Sequence, residues 1–295
     1  MEQEVTFYSE GVEIAADFGL PDDYTAGEQR GAVAFVHGFG ITKDIWFPDY
    51  ARALREAGYI TLRFDFRFFG ESGGQPRQRL IPMQQVIDTR AAASYLRGRE
   101  EVDADKVGLY GTSFGCGISA VAAAKDENIA CIVGTAGPAD CLRQFRFGSG
   151  FDDFHDKVRR KRATFIETGE ADYLDIPRMM QRDPQEEKQL RELAEERDWR
   201  PEITFESMYD ILEFKPEDFA SEISPAAAMW IYVKDDILVP LSEGKSYYAK
   251  SREPKELVIL EGVDHAEIYD GEARKRVLSH AIRWFEEHMP ARSQS

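Results

Sequence analysis

Apolar residues along this chain follow two rhythms, and the switching between them predicts the architecture. Residues 5–8 and 12–18 are strand-like runs broken at Glu10-Gly11, which predicts an antiparallel hairpin at a sheet edge. Residues 32–36, Ala-Val-Ala-Phe-Val, form a continuous apolar run of the kind buried on both faces of a parallel sheet. An amphipathic helix is predicted around 50–57 and another strand over 59–66. Across 83–99, Val86, Ile87, Ala91 and Tyr95 fall on one helical stripe. A strand at 107–110, a small-residue helix at 118–124 and a strand at 129–135 follow.

From about 139 to 225 the alternation stops. The region is charge-dense and predicts helices, with Leu190, Leu193 and Ala194 on one stripe and Phe205, Met208, Tyr209 and Leu212 on another. Strands at 229–233 and 257–260 and helices at 242–250 and 274–288 then restore the pattern, the last helix turning Val277, Leu278, Ala281, Ile282 and Phe285 inward. Strands alternating with helices imply an α/β fold, a mostly parallel sheet with helices on both faces. The expected division is a core from 1–138 and 226–295, with 139–225 as an inserted helical cap. Such a cap lies over the carboxyl edge, where these sheets bind ligands.

Acids outnumber bases by 54 to 37, a formal charge of −17 in 295 residues. That field repels nucleic acid and anionic membranes, so neither is expected as a partner. No stretch is apolar enough to span a bilayer. The start, Met1-Glu2-Gln3-Glu4, is acidic and lacks a signal-peptide core. Cys116, Cys131 and Cys141 are odd in number with no pairing pattern, and Cys116 and Cys131 read as small core residues. A reducing cytoplasm is the expected compartment. A homodimer is left open.

The candidate chemistry centres on Gly111-Thr112-Ser113-Phe114-Gly115, between the strand and the small-residue helix. Strand, abrupt turn and helix are the context of a nucleophile elbow. Gly111 and Gly115 remove side chains where helix and strand pass close, and the Phe114 N–H opens the helix without a partner. Alone, the pentapeptide also reads as an ordinary turn with Ser113 as helix cap. A serine nucleophile needs a base, and five histidines are available. His155 falls in the expected cap, His280 off the inward stripe, His288 near a helix end, and His37 too close to candidate backbone donors. His265, in Gly-Val-Asp-His-Ala after the last strand, lies at the correct edge. The acid belongs in the loop after strand 229–233, which holds Asp235 and Asp236. Serine, acid, histidine is one fold's chain order. His37-Gly38-Phe39-Gly40 follows the third strand, where a second oxyanion donor, the Phe39 N–H, belongs beside that of Phe114.

With these motifs in place, the chain resembles α/β-hydrolases of the serine-hydrolase branch over essentially all of its length outside the cap. The block from His37 to Asp44, the run Phe64-Asp65-Phe66-Arg67-Phe68-Phe69-Gly70-Glu71-Ser72-Gly73-Gly74, and Gln85 to Ala91 are similar to hydrolases near X-Pro dipeptidyl-peptidases, dienelactone hydrolases and polyketide-releasing acyl hydrolases. Two departures stand out: Arg67-Phe68 replaces an Arg-Gly pair, and Lys234 stands where the acid loop has a glycine. The resemblance implies an eight-stranded sheet and a triad of Ser113, Asp236 and His265, because the family's acid sits four residues before the proline found here as Pro240. It implies an acyl-enzyme on Ser113, a small-molecule acyl substrate and no cofactor or metal. Ester, lactone and thioester cleavage rank first; amidase, peptidase and C–C hydrolase activity, acyl transfer and a non-catalytic ligand receptor stay open.

Four smaller expectations complete the picture. Phe145, Phe147, Phe151 and Phe154, beside Tyr173, Met179 and Met180, either line the acyl pocket or pack the cap. The basic run at 157–162 is read as a solvated helix face with an anion site as the alternative. Asp65 and Arg67 are expected as an ion pair or a turn brace. Glu71, near the same edge, is a weaker candidate for substrate contact.

Overall fold

The computed structural model describes residues 2–146, 150–179, 184–197 and 199–292. Strands β1 (Glu2–Ser9) and β2 (Val12–Gly19) form the expected hairpin, with Ser9 opposite Val12. The two turn residues, Glu10 and Gly11, both take positive φ, 48° and 81°, which matches the twist of a two-residue hairpin. Then follow β3 (Arg30–Val36), α1 (Phe47–Glu56), β4 (Ile60–Phe64), α2 (Pro82–Arg97), β5 (Val102–Thr112), α3 (Phe114–Ala124) and β6 (Cys131–Thr135). Both α1 and α2 open on a proline in their first turn, where its fixed φ suits a helix and its missing N–H costs nothing.

The stretch after β6 contains α4 (Cys141–Phe145), α5 (Phe151–Thr168), β7 (Tyr173–Asp175), α6 (Ile176–Met179), α7 (Pro184–Glu196), β8 (Glu202–Thr204), α8 (Ser207–Glu213) and a 3-10 segment, Pro216–Glu222. The α/β order resumes with β9 (Ala227–Val233), α9 (Leu241–Lys250), β10 (Lys255–Leu260), a 3-10 turn (Glu267–Tyr269) and α10 (Gly271–His288). The eight long strands form one sheet in the order β1-β2-β4-β3-β5-β6-β9-β10. Pairings of β2 with β1 and β4 are antiparallel and the rest are parallel. The centre is buried on both faces. Val86, Leu96, Ile118 and Val121 pack with α2 and α3 on one side; Phe47, Leu54, Val277 and Phe285 pack with α1 and α10 on the other.

Between β6 and β9 the sequence pattern predicted helices alone. The structure adds a two-stranded antiparallel sheet of β7 and β8. Three-residue strands are too short to display a period of two, so no pattern announces them. The end of this stretch returns to the body: Gly117 of α3 packs beside Phe214 and Pro216, and the Glu217 N–H donates to the Ala139 carbonyl.

The loop after β4 resolves the roles of Asp65 and Arg67. They do not pair with each other. Arg67 makes a forked contact with buried Asp88 of α2, at 2.9 and 2.7 Å to Oδ1. Asp65 braces the turn by accepting the N–H groups of Lys43 (2.7 Å) and Glu71 (2.9 Å), while burial pushes its carboxyl up to about 6. Glu71 pairs with Lys43 Nζ at 3.0 Å. Phe68, standing where the hydrolase resemblance leads one to expect glycine, takes a glycine-like backbone at φ 74°, and its buried ring lies against Gly74.

The excursion between β6 and β9 is anchored at its root by a carboxylate of α9. Glu243, 1% exposed, accepts the N–H groups of Ala139 (2.8 Å) and Asp140 (3.1 Å), and Arg143 Nε at 2.6 Å. Arg143 also reaches Glu217 at 2.9 Å. Burial acts to raise the Glu217 carboxyl, but Arg143, Lys250 and Ser246 outweigh it and hold it at about 2. Removing a buried partner strands the groups it served. Glu243→Ala is therefore expected to lower the unfolding free energy by about 3 kcal/mol. Lys250→Met, which removes a half-exposed partner of Glu217, is expected to change it by less than about 1 kcal/mol. Urea unfolding followed by circular dichroism checks the contrast.

Candidate active site

The turn from β5 into α3 is an elbow forced by backbone contact. Ser113 has φ 49° and ψ −125°, a conformation rarely taken by a residue with a side chain. A Cβ on Gly111 would fall 2.4 Å from the Gly115 carbonyl oxygen, and one on Gly115 would fall 2.1 Å from that of Val36. No side chain fits at either position, so both glycines are dictated by the close passage of strand and helix. The Ser113 N–H donates to Thr135 O at 2.8 Å, which ties the elbow to β6. Ser113 itself stays half-buried at the carboxyl edge of the sheet.

Two loops bring an acid and a histidine to the same edge. His265 Nδ1 lies 2.7 Å from Asp236 Oδ2. An ionised carboxylate only accepts, so Nδ1 carries the proton and Nε2 is left as a base. The other Asp236 oxygen accepts the Leu238 and Val239 N–H groups at 2.7 and 2.9 Å. Burial acts to raise the Asp236 carboxyl, but the His265 ring and these N–H groups outweigh it and hold it below its ordinary value. Asp235, its neighbour, is exposed. On the histidine side, Asp264 Oδ1 accepts the Ala266 and Glu267 N–H groups, both at 2.8 Å, and so shapes the 3-10 turn behind His265.

The His37–Gly40 turn lies against the elbow. A Cβ on Gly38 would sit 3.3 Å from Ser113 Cβ. Among the described residues, the N–H groups of Phe39 and Phe114 have no hydrogen-bond partner, and their rings meet edge to face at 5.6 Å. His37 is not placed to act as a base. Its Nε2 accepts the Phe66 N–H at 3.4 Å, and burial drives its pKa down to about 4, so it stays neutral and braces the turn.

A cavity of about 420 Å³ unites these groups. Ser113, His265, Phe39 and Gly38 form its floor, Asp235 and Asp264 contribute carboxylates, and Ile176, Leu190, Leu193 and Trp199 come from the excursion. Trp46 and Tyr269 complete the wall, stacked at 4.3 Å. Sequence reasoning missed Trp46, Ile176, Trp199 and Tyr269. Only Tyr269, four residues after His265, had a signal in its position.

The phenylalanine cluster lies elsewhere. Phe145, Phe151 and Phe154 line a second cavity of about 560 Å³ with Tyr173, Met179 and Phe205. Of the two readings of this cluster, packing within the excursion is the one this placement supports. Phe154 packs against Phe205 at 6.1 Å within the excursion. Phe147 and Met180 lie outside the described residues. The basic run also lies away from Ser113: Lys157 covers the Phe205 ring at 4.8 Å, Arg162 covers Tyr209 at 3.4 Å, and Lys161 pairs with Asp172.

Comparison with known proteins agrees with this architecture. Residues 31–272 match the family described as alpha/beta hydrolase fold, and the chain belongs to it. The Escherichia coli "Uncharacterized 31.7 kDa protein in traX-finO intergenic region" is 27% identical over 95% of this chain and 97% of its own length. The crystal structure of PA2218 from Pseudomonas aeruginosa covers 98% of this chain and 94% of its own, with a TM-score of 0.85 and 24% identity. Polyketide transferase grgF from Penicillium is 25% identical over 90% of this chain and 91% of its own. Its crystal structure superposes with a TM-score of 0.82 over 98% of this chain and 99% of its own, at 21% identity. Among the described residues, no helix is long and apolar enough to cross a membrane.

The geometry distinguishes the two neighbouring acids. In a triad, the amide of the orienting acid loses about 10⁴-fold in turnover. Asp236→Asn is expected to lose activity on that scale, and Asp235→Asn tenfold or less, with kcat measured on one activated ester near neutral pH. The stabilisation from Asp236 is present above the ordinary aspartate pKa and is lost as pH falls through its lowered value. Asp236→Asn is therefore expected to flatten part of the acid limb of a stability–pH curve.

Proposed function

We propose that this chain is a serine hydrolase that cleaves a carboxylic ester, lactone or thioester through an acyl-enzyme on Ser113. One observation carries the reading. A strained elbow serine shares a cavity with a histidine whose far nitrogen is held by a buried carboxylate at 2.7 Å. His265 Nε2 takes the Ser113 proton as Oγ attacks the acyl carbon. Asp236 fixes the ring and stabilises its protonated form. The Phe39 and Phe114 N–H groups stabilise the oxyanion, and water then releases the acyl group by the same steps in reverse roles. Acyl transfer is the second reading, favoured by the likeness to a polyketide transferase. It uses the same acyl-enzyme with an alcohol in place of water.

The cavity also ranks substrates. Its charged lining groups among the described residues are the carboxylates Asp235 and Asp264, apart from the histidine. With a net charge of −17, this disfavours anionic coenzyme A thioesters and acidic carriers over neutral esters and lactones.

Ser113→Ala is expected to abolish hydrolysis with an unchanged circular dichroism spectrum, and a fluorophosphonate probe is expected to label Ser113 alone. Retained activity in that folded variant would falsify the assignment. Across neutral p-nitrophenyl esters, lactones and acyl-coenzyme A thioesters, the neutral compounds are expected to give the highest kcat/KM. Neutralising Arg159, Arg160 and Arg162 is expected to leave every kcat/KM within about twofold. An acyl-coenzyme A preference that collapses in that variant would reverse the ranking. Adding an alcohol acceptor separates the two readings: a transferase forms the new ester faster than the free acid.

A further inference from the structure

Tyr269 closes the 3-10 turn behind His265 and reaches under the nucleophile. Its ring stacks on Trp46 at 4.3 Å with 16° between planes, and meets the His265 ring edge-on at 6.0 Å. The stack leaves the ring little freedom, and the residue is 5% exposed. Thr112, immediately before the elbow serine, donates its hydroxyl to the phenol oxygen at 2.9 Å. With that oxygen acting as acceptor, the phenol proton remains to be given. Among the described residues it goes to no carbonyl or carboxylate, and Ser113, next in the chain to Thr112 and a lining residue of the same cavity, is the other hydroxyl that the phenol interacts with.

We propose that Tyr269 is a second hydrogen-bond donor to the Ser113 oxygen, so that the nucleophile works between a phenol and the His265 imidazole. The proposal rests on Ser113 being the nucleophile. In acylation, the Ser113 O–H bond breaks toward His265 Nε2 while the Oγ–carbon bond forms and the carbonyl electron pair moves onto oxygen. Charge builds on Oγ during this step, and the phenol bond shortens against it. In deacylation Oγ is the leaving group, and the same bond stabilises it as the acyl carbon departs. The phenol keeps its proton throughout, because burial pushes its ionisation well above the ordinary tyrosine value. Thr112 acts one step back: its donated bond polarises the phenol and aims it. A hydrogen bond to a developing charge is roughly twice as strong as a neutral one, which gives the contact its leverage in the transition state.

The test compares four purified, folded variants on one activated ester and with a fluorophosphonate. Tyr269→Phe keeps the ring on Trp46 and removes only the donor. It is expected to lower kcat by about 10- to 100-fold and the Ser113 labelling rate by a similar factor. KM is expected to stay within about twofold and Tm within a few degrees. Thr112→Val is expected to give a smaller loss of the same kind. The double variant is expected to be no worse than Tyr269→Phe, because both act through one contact. Ser113→Ala is the control. If it retains activity, the site reading and this proposal both fall. If it is dead while Tyr269→Phe keeps wild-type kcat and labelling rate, the proposal alone falls. The proposal also falls if the loss in Tyr269→Phe matches its unfolded fraction, or appears only in KM, with Thr112→Val unaffected.

Discussion

Everything at this site depends on one close approach between two pieces of backbone. Helix α3 leaves β5 so abruptly that Gly111 and Gly115 face each other with no room for a methyl group, and Gly115 also lies on the Val36 carbonyl. The chain makes that turn only by forcing Ser113 to positive φ, a conformation that costs about 1–3 kcal/mol. Burial offsets the cost. Phe114 through Ala123 are all buried, and Cys116, Ile118, Ala120 and Val121 pack into the larger core. Ser113 is thus held at the turn by the packing of the helix behind it.

The same logic explains what was legible in the sequence. Steric necessity writes itself into residue type: glycines at 111 and 115 admit no substitute, and continuous apolar strands mark the centre of a parallel sheet. Hence the fold, the sheet's hairpin edge and the elbow could be read from the chain. Choosing Asp236 over Asp235 rested on the spacing to Pro240 that the resemblance implies; in the structure Asp236 is buried and Asp235 exposed. The cavity wall was not legible. Trp46, Ile176 and Trp199 come from three separate segments, and no local period brings them together. The phenylalanines near 150 left two readings open because clustered aromatics announce burial without saying which interior they fill. Here they line the excursion's own cavity.

Departures from the family pattern show how much a fixed backbone tolerates. Phe68 holds a left-handed backbone where the resemblance leads one to expect glycine, and the turn still closes, with the Phe68 N–H donating to Gly73 O and the Gln78 N–H to Phe68 O. Its ring is buried against Gly74, so contact area compensates for the conformation. Lys234, in place of a glycine in the acid loop, leaves its side chain in solvent on Glu261 while its N–H donates to Leu260 O. Neither change reaches Asp236, whose position is set by the Leu238 and Val239 N–H groups.

The excursion contributes more than a wall. The indole N–H of Trp199 donates to the Gly40 carbonyl at 2.7 Å, and Ile176 closes the space where a Gly40 side chain would stand. Gly40 takes φ 64°, a conformation that also favours glycine there. The residue just before it, Phe39, carries an unpartnered N–H, so the excursion anchors the turn that holds that group. The shape of the cavity and the geometry of this turn are therefore coupled. A change that moves Trp199 both reshapes the cavity and releases the Gly40 carbonyl that orients the turn. Residues between β6 and β9 then cannot vary freely with substrate. Those that touch the His37–Gly40 turn, Ile176 and Trp199, are constrained by its geometry as well as by the cavity they line.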